Sequence, residues 1–131
     1  MLIDTHVLYW WVEFPGKLST KAVQIFEEAD NGSRNIALCS VSFWELEMKV
    51  KRGLLQTTRP LSDWVNLMTK LRWMEIVNTS ASVWLKSADL EWEHRDPADR
   101  IIAVTAFEWG FPLLSKDRIF HEPSSPVEAV W

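Results

Sequence analysis

A chain of 131 residues fits one domain and leaves little room for a second. With 47% hydrophobic and 24% charged residues it has the balance of a soluble folded protein, long enough to bury a core without disulfide or metal staples. A formal charge of −4 argues against a broad basic face for nucleic acid, although acids gathered at a single site would leave the remainder slightly basic.

The chain opens with a short apolar run, Met1-Leu2-Ile3, that stops at Asp4 and reads as a first strand. A helix follows from about Val7. Ser19 is a good N-cap for the next helix, where Ala22, Ile25, Phe26 and Ala29 recur at helical spacing until Asn31-Gly32 ends it. Ile36 to Cys39 reads as a second strand. Ser42 and Glu45 fit a capping box for a helix ending near Gly53, and Pro60 to Arg72 predicts another, capped by Ser62 or Asp63. Met74 to Val77 reads as a third strand, followed by a helix from Ser80 to Leu90. Asp96-Pro97 starts a strong helix with an apolar stripe through Ala98, Ile101, Ile102, Thr105, Ala106 and Trp109, stopped by Gly110. Pro112 to Ser115 and Val127 to Val130 complete a set of about five strands. Strands alternating with helices imply a mainly parallel sheet covered on both faces, a single α/β domain over residues 1–131.

Cys39 is the only cysteine and sits among apolar neighbours, so a buried structural thiol and a reducing, cytoplasmic setting are expected. The first residues carry Asp4 and His6 and lack a basic leader, and no stretch is long enough to span a bilayer. Nine tryptophans are unusual for this length and point to an oligomer or a protein partner.

In an open parallel sheet, ligands bind beyond the carboxyl ends of the strands. Asp4 follows the first strand, Glu45 lies in the helix after the second, Asp99 in the first turn of a later helix, and Asp117 follows the fourth strand. Four carboxylates brought to one edge raise one another's pKa unless a cation compensates them. Oxygen donors without a Cys or His cluster favour Mg²⁺ or Mn²⁺ over Zn²⁺. A helix start accounts for several of these acids equally well: Glu45 as the far end of a capping box, Asp99 in the same part behind Asp96. Asp4 has no such structural purpose.

These residues also carry a resemblance. Leu2-Ile3-Asp4-Thr5-His6-Val7-Leu8-Tyr9-Trp10-Trp11 resembles the first motif of PIN-domain toxins of the VapC family. Ser40-Val41-Ser42-Phe43-Trp44-Glu45-Leu46 is similar to the second, His94-Arg95-Asp96-Pro97-Ala98-Asp99-Arg100-Ile101-Ile102-Ala103 to the third, and Pro112-Leu113-Leu114-Ser115-Lys116-Asp117 to the last. The resemblance runs through nearly the whole chain, with Ser115 where the family often has Thr. It implies a three-layer α/β/α PIN-like fold and a metal-dependent endoribonuclease, the toxin of a type II toxin–antitoxin pair. By position, Asp4, Glu45, Asp99 and Asp117 match the acidic quartet and Asp96 an additional acid. Thr5 and Ser115 match the hydroxyls that steady the cluster, and Arg100 a recurrent arginine. Mg²⁺ or Mn²⁺ is the implied cofactor, and the implied partners are RNA, a cognate antitoxin laid across a groove, and a second copy in a homodimer, with no membrane. The alternatives within the fold are a PIN nuclease of RNA processing without a toxin role, or a non-catalytic partner-binding domain.

On this reading Asp4, Glu45 and Asp99 hold the metal, Asp117 reaches it directly or through water, and Asp96 is chiefly a cap, with direct metal ligation as the alternative. Arg95 with Arg100, Lys116 with Arg118, and Lys49 and Lys51 with Arg52 are candidates for phosphate contacts, or equally a solvated surface. His6, His94 and His121 pair with no evident nucleophile, and Ser42 and Cys39 lack an evident base. Tyr9-Trp10-Trp11, with Trp44, would line the partner groove or a homodimer face, core packing being the stronger expectation for Trp44. A receiver-like domain or an aspartyl phosphatase would want a second acid close behind Asp4, where Thr5 and His6 stand instead.

Overall fold

The computed structural model describes residues 1–131. Five strands, β1 (Leu2–Ile3), β2 (Ile36–Cys39), β3 (Met74–Val77), β4 (Leu113–Leu114) and β5 (Ala129–Val130), form one sheet in the order β3-β2-β1-β4-β5. Every neighbouring pair is parallel, with Leu2 opposite both Ala37 and Leu113. The helices are α1 (Thr5–Glu13), α2 (Thr20–Asp30), α3 (Val41–Lys51), α4 (Leu61–Met68), α5 (Ala81–Asp89) and α6 (Pro97–Trp109), with short 3₁₀ turns at Pro15–Lys17 and Arg118–His121.

The central strands are apolar on both sides because both faces are covered. Successive side chains point to opposite faces, so Ile3, Ile36, Leu38 and Leu114 enter one core while Leu2, Ala37, Cys39 and Leu113 enter the other. The first core is closed by α1, α2, α3 and α4 through Leu8, Ile25, Leu46 and Trp64, the second by α5 and α6 through Val83, Ile101 and Ile102. This is the three-layer α/β/α arrangement that the alternation of elements predicted. Truncating a fully buried leucine or isoleucine among these to alanine would cost roughly 2–5 kcal/mol.

Several local expectations hold with their reasons. Ser19 accepts from the Ala22 amide and Ser80 from the Val83 amide, each capping its helix. Gly110 ends α6 at φ 63°, a left-handed conformation that only glycine adopts without strain. Cys39 is buried, and burial pushes its thiol up to about 11.

Others differ. The first helix begins at Thr5, directly after the strand, rather than at Val7. Helix α3 begins at Val41, one residue before the expected cap, so Ser42 lies inside it and no capping box forms. The helix expected over Pro60 to Arg72 spans Leu61–Met68, and Pro60 stands at its N-cap in place of Ser62 or Asp63. Trp44, expected in the core, is 55% exposed, because it lies on the side of α3 away from the buried Val41, Ser42, Glu45 and Leu46. Tyr9 is buried instead of lining a groove, with its hydroxyl donating to the Gln56 carbonyl. Trp10 packs against Trp131 and Trp11 stacks on Phe26.

Candidate active site

The carboxyl ends of β1, β2 and β4 meet at one edge of the sheet, and the acids converge there. Asp4 is the residue between β1 and α1. Its amide donates to the Leu114 carbonyl and its carbonyl accepts from the Leu8 amide, so the backbone is held from both sides. It occupies the N-cap of α1, yet its side chain makes no capping bond. The carboxylate turns inward instead and is 1% exposed. Oδ2 accepts from Ser115 Oγ at 2.6 Å, and Oδ1 has no partner.

Ser115 does double duty in this geometry. The oxygen that donates to Asp4 also accepts from the Asp117 amide at 3.0 Å, tying the turn after β4 to the end of β1. Thr5 makes the corresponding tie on the other side, donating to Ser42 Oγ inside α3 at 3.0 Å. That contact brings α3 against the start of α1 and sets Glu45, one turn further along, toward Asp4. Glu45 is buried; Oε1 accepts from Lys49 Nζ at 2.5 Å, and Oε2 has no partner. Asp99 approaches from the first turn of α6, with Oδ2 2.5 Å from His94 Nε2.

The electrostatics record how close these groups are. Burial pushes the Asp4 carboxyl above its ordinary range, opposed by the Ser115 hydrogen bond and the charge of His6 and reinforced by the charge of Glu45. Asp99 is pushed up to about 7, first by burial, then by Asp4, with smaller contributions from Asp96 and Glu45 against the His94 hydrogen bond. Asp4, Glu45 and Asp99 therefore form one mutually repelling group.

Asp117 and Asp96 stand at its margin. Asp117 Oδ1 accepts from the Ile119 amide at 3.2 Å and opens the 3₁₀ turn. Asp96 Oδ1 accepts from the Ala98 amide at 2.9 Å and more distantly from Asp99, as a helix cap. The basic candidates divide as well. Arg100 is not free for phosphate: its guanidinium donates to the carbonyls of Ser87, Ala88, Leu90, Trp92 and His94, bracing the segment that carries His94. Lys51 pairs with Glu47 and Arg118 with Glu122 on the surface, while Lys116 lies 5.4 Å over the Trp10 ring. His121 Nε2 is 2.8 Å from the Ser115 carbonyl.

The Lys49–Glu45 and His94–Asp99 contacts were not anticipated. The first was open to reading, since Lys49 is four residues beyond Glu45 on one helix. The second joins a loop residue to a helix across a turn and has no periodic signal.

A divalent cation suits this donor set. As the side chains stand, no three acids or histidines meet in ligating geometry. Yet Asp4 Oδ1 and Glu45 Oε2 are buried oxygens without partners, the two carboxylate atoms among five buried side-chain atoms left unpaired. Neither atom is itself engaged, although turning the Glu45 carboxylate toward an ion would draw its other oxygen away from Lys49.

Comparison with known proteins assigns the family. Residues 1–125 match the model of the PIN domain. The chain is 34% identical over 134 residues to Ribonuclease VapC22 of Mycobacterium tuberculosis, covering 100% of this chain and 98% of that protein. Among solved structures, VapBC2 from Rickettsia felis, bound to a DNA fragment from their promoter, superposes with a TM-score of 0.67 at 17% identity, over 98% of this chain and 96% of that one. FitAcB from Neisseria gonorrhoeae gives 0.62 at 17% identity, over 99% and 96%. At those identities the structural likeness speaks for the fold.

Proposed function

The chain belongs to the PIN-domain family, and from that premise we propose that it is a metal-dependent endoribonuclease, the toxin of a type II toxin–antitoxin pair, with Asp4, Glu45 and Asp99 holding Mg²⁺ or Mn²⁺. The observation that carries the reading is the pair of buried, partnerless carboxylate oxygens on Asp4 and Glu45 beside Asp99. A fold seeking only stability would have hydrogen-bonded or replaced them.

A bound divalent ion would supply a water of lowered pKa and positive charge for the leaving oxygen of the cleaved RNA. The chain's own residues supply the rest. Ser115 fixes the orientation of the Asp4 carboxylate, and Thr5 with Ser42 fixes the distance between α1 and α3. Arg100 holds the loop that sets His94 on Asp99. Asp117 would act at the margin, through water, since its carboxylate is partly engaged as a cap. Asp96 serves α6 as a cap and Asp99 as a nearby charge.

Two apolar surfaces suit the protein partners of such a toxin. A groove of about 270 Å³ between α1 and α4 is lined by the hydrophobic side chains Trp11, Val12, Trp64, Leu67, Met68 and Leu71, and fits the apolar face of an antitoxin helix. On the far side, Trp44 and Trp84, 55% and 50% exposed, flank a recess of about 540 Å³ next to the acid edge, a face suited to a second copy of the chain. No helix is long and apolar enough to cross a membrane.

The test is incubation of the antitoxin-free chain with mixed cellular RNA and Mg²⁺ or Mn²⁺, beside Asp4→Asn and EDTA controls. Metal-dependent cleavage lost in the variant is the expected result. Folded wild-type protein that binds metal and cleaves no RNA would shift the reading to a partner-binding domain.

A further inference from the structure

We propose that Lys49 is a positioning residue whose ammonium stands in for the divalent cation, holding Glu45 in place until the ion displaces it. The inference rests on the metal-dependent reading above and goes beyond it by assigning a role to a residue outside the acid group.

Helix α3 carries two pairs of the same chemistry and spacing, and they differ in where they lie. Lys51 and Glu47 are 3.4 Å apart with side chains 68% and 45% exposed, a solvated pair of the kind that contributes little. Lys49 and Glu45 are 2.5 Å apart with side chains 27% and 8% exposed, and the carboxylate faces Asp4 and Asp99. Glu45 Oε1 is taken by Lys49, while Oε2 is bare. An ionised carboxylate in that position needs a cation, because burial strips away its water and two other acids repel it. Lys49 is the one lysine or arginine paired with a member of the acid group.

The arrangement has a thermodynamic consequence. Metal binding to Glu45 is an exchange of one cation for another, so the affinity measured is the ion's attraction less that of the ammonium it replaces. A monovalent ion gains nothing in such an exchange, whereas a divalent ion does, because its charge acts on all three acids at once. Removing the ammonium takes away the competitor. The metal-free protein then loses a buried partner while the ion binds more tightly. A purely structural role would predict the opposite for the ion, since a disturbed site binds metal less well.

Mn²⁺ binding to the full chain, followed by the electron paramagnetic resonance of the free ion, reads this directly. Lys49→Gln is expected to lower the Kd for Mn²⁺ by about tenfold, with a lower melting temperature without metal and a larger rise on adding it. Lys51→Gln, the same charge change on the same helix, should stay within about twofold of wild type. Lys49→Arg keeps the charge and should not tighten binding, which keeps the inference testable if the glutamine variant does not fold. An unchanged or raised Kd in Lys49→Gln, or a tightened one in Lys49→Arg, overturns the role of Lys49 alone. Wild-type protein that binds no Mn²⁺ at millimolar concentration overturns the metal-dependent reading itself.

Discussion

Helices α1 and α6 both begin with an aspartate in extended conformation, and the two side chains do opposite things. Asp96, at φ −66°, accepts from the amides of its own helix and lies exposed at the surface. Asp4, at φ −74°, leaves the amides of α1 without a side-chain cap, takes one hydrogen bond from a serine 111 positions away and keeps one oxygen with no partner. Local backbone geometry is nearly the same at the two places. The difference is what surrounds them: α6 starts at the surface, while α1 starts at the end of the central strand, with β2 and β4 on either side. A helix that forgoes its cap and keeps a buried charge in exchange marks a site selected for something other than stability.

The largest expected effect comes from breaking the Asp4 side of this comparison. Asp4→Asn should lower RNA cleavage by on the order of 10²–10³-fold, because the neutral amide donates poor electron density to a metal. The same variant should melt higher than wild type in EDTA, since burial disfavours the charge it removes. Loss of both cleavage and stability would mean that Asp4 holds the fold together, against the reading above.

Asp99 gives the next effect, and its sign follows from its pKa. An acid raised to about 7 in the fold binds more protons folded than unfolded, so it favours the fold at low pH. That contribution is lost as pH rises from about 4 to about 7, on the order of a few kcal/mol in the metal-free protein. Urea denaturation in EDTA should therefore find Asp99→Asn more stable than wild type at pH 7.5, with the advantage shrinking toward pH 4. A difference independent of pH would refute the assignment.

Arg100→Lys tests the brace behind α6. A lysine ammonium cannot reach the five carbonyls that the guanidinium serves, so roughly 2–3 kcal/mol of stability should be lost by urea denaturation. Wild-type stability would show that these carbonyls are met by water instead. The smallest effect belongs to Asp96→Ala, which should cost about 1 kcal/mol as a lost cap while leaving most of the cleavage activity. A loss of cleavage equal to that of Asp4→Asn would place Asp96 among the metal ligands.

This comparison also shows what could be read from the sequence and what could not. The strands, their mainly parallel arrangement and most helices were legible because apolar runs and helical periodicity are local signals, and Asp96-Pro97 and Gly110 mark the ends of α6 unambiguously. The positions of Asp4, Glu45 and Asp99 at one edge followed from the topology of a parallel sheet. The start of α3 did not: Ser42 and Glu45 have the spacing of a capping box, but Thr5 competes for the Ser42 hydroxyl from another helix. With Ser42 buried against Thr5, helical spacing puts Glu45 on the same inner face and Trp44 on the outer one. The five carbonyls around Arg100 were equally hidden, because they depend on how an irregular segment folds back on the helix after it.

The bond from Ser115 to Asp4 has a further meaning when the chain is considered as it is made. A chain synthesised from its N-terminus presents Trp11 through Leu71, the lining of the apolar groove, well before Asp99 and Ser115 exist. The strand that carries Asp4 can pair with β2 early, but it lacks β4 and the serine that orients its carboxylate until nearly the whole chain has emerged. Contacts so distant in sequence form late in folding. The residues of the apolar groove are therefore all present before the acid edge can be completed.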